Sequence, residues 1–238
     1  MLGLASPTYP LSQESYAAFT ATYPWKRIYD YELLYSGPLF THQLSHVWID
    51  FRGIQDSFMK DHGLDYFENS RRAIYVQQQY AIRNPNGFAG YGEHGWGLTA
   101  CDGPGPMTCK VNGVERTFYD YVARGVPYGP DDGTLAPWAV VASLPFAPEL
   151  VLPAIRYLEK LPVRRPHPCG FKASFNPTYP DPSGREIGWV SQWHYGINQG
   201  PILLMIENYR SGLLWKLMRQ CPYVVTGLRR AGFGGGGL

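Results

Sequence analysis

The chain has 238 residues, of which 45% are apolar and only 17% charged, with a formal net charge of +2. That length supports one large domain or two small ones, with a sizeable core. The charge is too low and too dispersed for a nucleic-acid surface: Arg71-Arg72, Arg164-Arg165 and Arg229-Arg230 are isolated pairs that read as solvated faces.

The N-terminus, MLGLASPTYPL, lacks the basic region and the apolar run of a secretory leader, and no stretch is long enough to span a membrane. Taken as written, the chain reads as soluble and cytoplasmic. A start upstream of Met1 removes that inference, because a signal peptide has room to lie there. A short helix is predicted over 11–21. Residues 38–61 read as one long helix, with Phe40, Leu44, Val47, Trp48, Phe51, Ile54 and Phe58 at three- and four-residue steps and Gly63 as the stop. Asp65-Tyr-Phe-Glu68 looks like a capping box opening a second helix, which Pro85 ends near Asn84. A third runs from Thr134 or Leu135 to Leu144, with Pro137 tolerated in its first turn. A fourth covers 148–160. A fifth runs from Pro201 to about Gln220 and is apolar enough to predict deep burial. A last helix is predicted over 223–231, and the glycine-rich residues 232–238 read as a flexible tail.

The reading is therefore all-α, with a domain over 1–231 and two long irregular segments, 85–133 and 161–198. Loops of that length in a compact domain are usually functional. The first contains Tyr91-Gly-Glu-His-Gly-Trp-Gly-Leu-Thr-Ala-Cys-Asp-Gly-Pro-Gly-Pro106, which sets Glu93, His94, Trp96 and Asp102 among turn-forming residues. Two carboxylates beside an indole suit the cutting of a sugar chain, where one acid protonates the leaving oxygen and the other activates water or attacks. Glu93 and Asp102 are the catalytic candidates. The competing reading of Asp102 is a brace for the turn at Gly103-Pro104.

Other acids carry plainer readings. Asp131 and Asp132 precede a helix start and suit its N-terminus, although Asp132 stays a candidate ligand contact. Asp50 either faces a cleft with His46 or pairs with a basic neighbour. Glu207, three residues before Arg210, reads as an ion pair. Trp96, Trp189, Trp193 and Tyr195 are candidate stacking platforms, with buried loop anchors as the alternative for each Trp. His94 and His194 have no metal-ligand spacing, and Cys101, Cys109, Cys169 and Cys221 form no CxxC pair, so neither metal nor cofactor is expected.

Several segments together carry a family resemblance: LGLASPTYPL (2–11), PLFTHQLSHVWIDFRGIQD (38–56), YFENSRRA (66–73), WGLTACDGPGP (96–106), PDDGTLAPWAVVASLPFAPELVLPAIRYL (130–158), GFKASFNPTYP (170–180) and WVSQWHYGINQGPILLMIENYRSGLLW (189–215). In this order they resemble the glycoamylase-like domain family, which includes bacterial endo-β-1,2-glucanases and a domain of cyclic β-1,2-glucan synthases. The resemblance implies an (α/α)6 toroid around a central cleft. The roughly seven helices here correspond to its C-terminal half, with further cleft acids on earlier helices. It implies a β-glucan as partner, with no nucleic acid and no membrane, and hydrolysis as the reaction. Transglycosylation, or an inactive glucan-binding or structural remnant, are the alternatives. It also implies that Asn198 stands where endo-β-1,2-glucanases carry an Asp linked to activity. Asn cannot ionise, so here it is left to hydrogen-bond a sugar hydroxyl or a water.

Overall fold

The computed structural model describes residues 2–164, 169–181, 187–236 and 238. Parts of the 161–198 segment, with Arg165, and Gly237 of the C-terminal tail lie outside the described residues. The chain opens with two short helices, α1 (Leu2–Ala5) and α2 (Gln13–Thr20), and an antiparallel hairpin, β1 (Trp25–Ile28) and β2 (Tyr31–Leu34), with Trp25 opposite Leu34.

The long helix expected over 38–61 does not form. The segment is two 3-10 turns, Leu39–His42 and Leu44–Val47, then β3 (Ile54–Gln55) and α3 (Ser57–Asp61). Local competition explains the break. Gln43 leaves helical geometry at φ −120° and sends its amide inward to the Ala139 carbonyl, 2.7 Å, and Ser143 Oγ, 2.8 Å. Asp50 Oδ1 accepts from the Arg52 backbone N–H, an Asx-type turn that competes with a helix, and Gly53 follows at φ +73°.

The helix α4 (Tyr66–Arg83) forms as its signals predict. Asp65 caps it by accepting from the Glu68 N–H at 2.7 Å, and Asn84 closes it in the left-handed region ahead of Pro85. Its buried face carries Ile74, Tyr80, Ala81 and Gln77. The Gln77 amide donates to the carbonyls of Gly37 and Leu98 and accepts the Leu98 N–H, tying the following loop to the helix.

The segment 85–133 is not irregular throughout. It holds β4 (Ala100–Cys101), the hairpin β5 (Met107–Val111) and β6 (Val114–Phe118), and β7 (Val122–Ala123), which pairs back onto β4. Asn112 and Gly113 turn the hairpin at φ +50° and +83°, the conformation that two-residue hairpin turns require. Then come α5 (Pro137–Val141), shorter than expected, and α6 (Pro148–Leu158). β8 (Phe175–Asn176) and β9 (Trp189–Val190) pair antiparallel, so the 161–198 segment is also partly ordered.

The fifth predicted helix is two: α7 (Gly196–Ser211) and α8 (Leu213–Gln220), separated by Gly212 at φ +66°. The expected deep burial is not found. Met205 and Trp215 are buried, whereas Ile197, Leu203 and Leu217 are exposed by more than half. Apolar residues run round α7, and one face packs on α5. Finally α9 (Pro222–Arg230) packs on α1, and β10 (Gly234–Gly235) pairs with β3 while Phe233 is buried, so this part of the glycine-rich end lies against the body.

The all-α expectation thus becomes a helical body carrying five short two-stranded antiparallel ladders among the described residues. Its main core lies where α4, α5, α6 and α7 meet the 96–101 strand, around Ile74, Trp96, Leu98, Trp138, Val140 and Met205.

Candidate functional site

The two long segments converge on Asp102. Ser174, just before β8, donates its hydroxyl to Asp102 Oδ1 at 2.6 Å and also reaches the Asp102 carbonyl. Ser191, just after β9, donates to Asp102 Oδ2. The two serines are themselves fixed by the Ser191 N–H donating to the Ser174 carbonyl at 3.0 Å. Both oxygens of a half-buried carboxylate are therefore oriented by elements some seventy and ninety residues downstream.

Beneath Asp102 lies a buried ion pair. Arg124 and Asp132 are both fully buried and meet through Nε to Oδ1 at 2.7 Å and Nη2 to Oδ2 at 2.8 Å. Arg124 also donates to the carbonyls of Cys101, Tyr119 and Asp120, and Asp132 accepts the N–H groups of Tyr119 and Thr134. Burial works against the Asp132 charge, but the Arg124 hydrogen bonds and charge outweigh it and hold the carboxyl below the usual carboxylate range. The strand passes so close that a Cβ at Gly103 would meet Arg124 Nη2 at 2.1 Å, which is why glycine stands there.

Around this seat the surface carries aromatic rings. Trp193 is 53% exposed and Tyr195 is 38% exposed. The Tyr195 phenol is pushed up from its ordinary value, first by partial burial and then by the carboxylates of Asp102 and Asp120. Asp120 is exposed between the exposed rings Tyr119 and Tyr121. The site therefore brings together Asp102, Asp120, Tyr195 and Trp193. Carboxylates beside exposed rings can bind a sugar face and orient a water or a hydroxyl.

Other sequence candidates fall elsewhere. Trp96 is 1% exposed within the main core, so it has no face to offer a ligand. Asp132 is spent on Arg124, and Asp131 on the hydroxyls of Tyr80 and Tyr91 and the Gly133 N–H. Asp50 is held by Arg52 at 2.7 Å through both oxygens and lies 3.6 Å from Arg219. Glu207 pairs with Arg210 at 3.6 Å. Glu93 is exposed, and the contact recorded for it is its carbonyl, which accepts from Gln78. His94 is half-buried, with its ring 6.5 Å from that of Tyr157. Trp189 is half-buried in β9, and Asn198 is buried in the first turn of α7, its N–H donating to the Tyr195 carbonyl at 3.0 Å.

The family model Glycoamylase, described as "Putative glucoamylase", matches residues 1–222. The chain belongs to this family. Over 97% of its length it is 30% identical to the exo β-1,2-glucooligosaccharide sophorohydrolase (non-reducing end) of Parabacteroides distasonis, covering 32% of that protein. It is similar to the endo-β-1,2-glucanase of Chitinophaga pinensis, solved as a sophorotriose and glucose complex, with a TM-score of 0.80 and 30% identity over 99% of this chain and 53% of that one. A Bacteroides uniformis structure described as a putative glucoamylase superposes with a TM-score of 0.82 at 36% identity, again over 99% of this chain and 53% of that one. The chain thus spans about half the length of these solved relatives and about a third of the curated one.

For this Glycoamylase-family chain, sequence reasoning missed Asp120 and Arg124. The Tyr119-Asp120-Tyr121 triplet, an acid between two rings, was a usable signal for the first. Arg124 gave none, because a single Arg in a loop reads as solvated until its burial is known. Among the described residues no three His, Cys, Asp or Glu side chains converge as metal ligands, and no helix is long and apolar enough to cross a membrane.

Proposed function

We propose that the chain forms part of an (α/α)6-type glycoside hydrolase domain whose cleft takes β-1,2-glucan. The carrying observation is the Asp102 seat: a carboxylate gripped by two serines, beside exposed Trp193 and Tyr195. The printed activities of the relatives, both on β-1,2-linked glucose, supply the linkage. In this reading Trp193 stacks on a pyranose face, and Asp102 orients a water or supports charge developing at the anomeric carbon. Asp120 is the nearest candidate for its partner carboxylate, and Glu93 lies further along the same loop. Asn198 contributes no ionisable group.

A second reading also has support. The two serine bonds to Asp102 fit a carboxylate that staples the two loops and leaves the chain a glucan-binding unit without turnover. Incubation of the purified chain with linear β-1,2-glucan separates the two. Short oligosaccharides that disappear in Asp102→Asn support hydrolysis, and cyclic or lengthened products indicate transglycosylation. Binding without products, weakened by Trp193→Ala and unchanged by Asp102→Asn, supports the binding unit. The glucan reading is wrong if the chain neither binds nor cuts this polymer.

A further inference from the structure

On a different part of the surface, a cavity of about 640 Å³ opens between α2, the β1–β2 hairpin and the 3-10 turns. That volume falls within the ~300–1,000 Å³ of small-molecule sites. Its walls combine ring faces, among them Tyr16, Tyr23, Phe51 and Tyr66, with the polar side chains of His46 and Ser70. No Lys, Arg, Asp or Glu lines it among the described residues. The nearby charge of Asp56 is hidden behind the rings: the hydroxyls of Tyr16 and Tyr66 donate to its Oδ2 at 2.6 and 2.7 Å, and the Met59 N–H donates to Oδ1.

One polar group here is left incomplete. His46 is 4% exposed and shares a 3.0 Å hydrogen bond with Ser70 through Nε2, while its buried Nδ1 has no partner among the described residues. Whichever ring nitrogen holds the proton, one hydrogen-bonding atom is unspent, and a buried group of that kind calls for a partner. Burial keeps the ring uncharged, pushing His46 down to about 3, helped by neighbouring His42. An uncharged site of ring faces and neutral hydrogen-bonding groups does not suit phosphates or carboxylates. It suits a neutral polyhydroxylated ring.

We propose that this cavity binds a neutral glucosyl unit, with the aromatic walls against its faces and His46 and Ser70 bonding its hydroxyls. The proposal rests on the glucan reading above and adds a second sugar position to it, apart from the Asp102 seat.

The test uses the full chain with D-glucose and with sophorose, the β-1,2-linked disaccharide. Ring nitrogens of His46 are followed by ¹⁵N NMR, and binding at the Asp102 surface by the fluorescence change that Trp193→Ala removes. Ser45, exposed where it lines the cavity, is replaced by Trp to fill the opening without touching the core. The expected result is a saturable shift of the His46 signals, with Ser45→Trp binding about tenfold weaker at unchanged Tm. If sophorose changes the Trp193 signal while His46 is silent and Ser45→Trp binds like the parent, the cavity proposal falls and the glucan reading stands. A His46 response to glucose, in a chain that neither binds nor cuts β-1,2-glucan, keeps the cavity and removes the β-1,2 assignment. Silence in both signals overturns both.

Discussion

Replacing Asp132 by Asn keeps the side-chain shape and removes the charge that Arg124 faces. Both partners are 0% exposed and meet through two bonds of 2.7 and 2.8 Å. An Asn offers one oxygen where the carboxylate offers two, so one guanidinium N–H meets an amide NH2. The guanidinium keeps its full charge, with backbone carbonyls of Cys101, Tyr119 and Asp120 as its remaining acceptors. Removing one partner of a buried pair costs about 3–5 kcal/mol. For a chain of this size that corresponds to a fall in Tm of roughly 6–20 °C. Urea unfolding followed by tryptophan fluorescence at pH 7 measures the loss. The carboxyl of Asp132 sits below its unfolded value, so the stability its charge carries is present above the ordinary carboxyl range of about 3.9. It is lost as the pH falls through the lowered folded value. The gap between parent and variant therefore closes in strong acid. A variant within about 1 kcal/mol of the parent at pH 7 would refute the argument that this pair is a buried, uncompensated-when-broken charge.

Three further outcomes are expected. His42 is buried and held down to about 4, so the native chain resists its protonation. Stability is then fully present above the unfolded histidine value of about 6.5 and falls by ~3 kcal/mol as the pH drops towards 4, with His46 adding to the same limb. Denaturation midpoints that stay flat from pH 7 to 4.5 would contradict this. Gly212 sits at φ +66° with no close neighbour where a Cβ would go, so Gly212→Ala costs about 1–2 kcal/mol from backbone strain alone, read by thermal unfolding. Trp96→Ala costs about 3–5 kcal/mol in the same assay. Trp193→Ala, at a half-exposed ring, leaves Tm near the parent and shows its effect in glucan binding.

That contrast between two tryptophans marks how far the sequence could be read. Both stand beside polar or glycine neighbours in long loops, and composition does not separate them. Burial does, and burial here is set by α5 and α6, far along the chain. The helix α4 was legible because every signal was local: the Asp65 cap, the apolar period and Pro85. The 38–61 segment had the same apolar period, yet Gln43 reaches Ala139 and Ser143, about a hundred residues away, and that tertiary pull defeats the helix. The β5–β6 hairpin was legible in principle, since Asn112-Gly113 is a strong turn signal, but the surrounding glycines and prolines made the segment read as loop throughout. Asp102 was singled out correctly as the acid where the loops meet. Its two serine partners come from strands too short to show a pattern.

Arg124 explains why so glycine-rich a loop can hold a site at all. Its one guanidinium accounts for the carbonyls of Cys101 and Asp120, which flank or belong to the two surface carboxylates, and for both oxygens of Asp132. A loop rich in glycine loses much conformational entropy when it is ordered, and weak surface contacts do not offset that loss. A buried charge pair can, because every group it touches must keep its place or leave a charge uncompensated. The same feature makes the surface above it rigid, and rigid placement is what a carboxylate needs to act on a bound sugar. Stability and site geometry are thus coupled through one residue. Conditions that protonate Asp132 are expected to loosen the Asp102 seat before they unfold the helices around Ile74 and Met205.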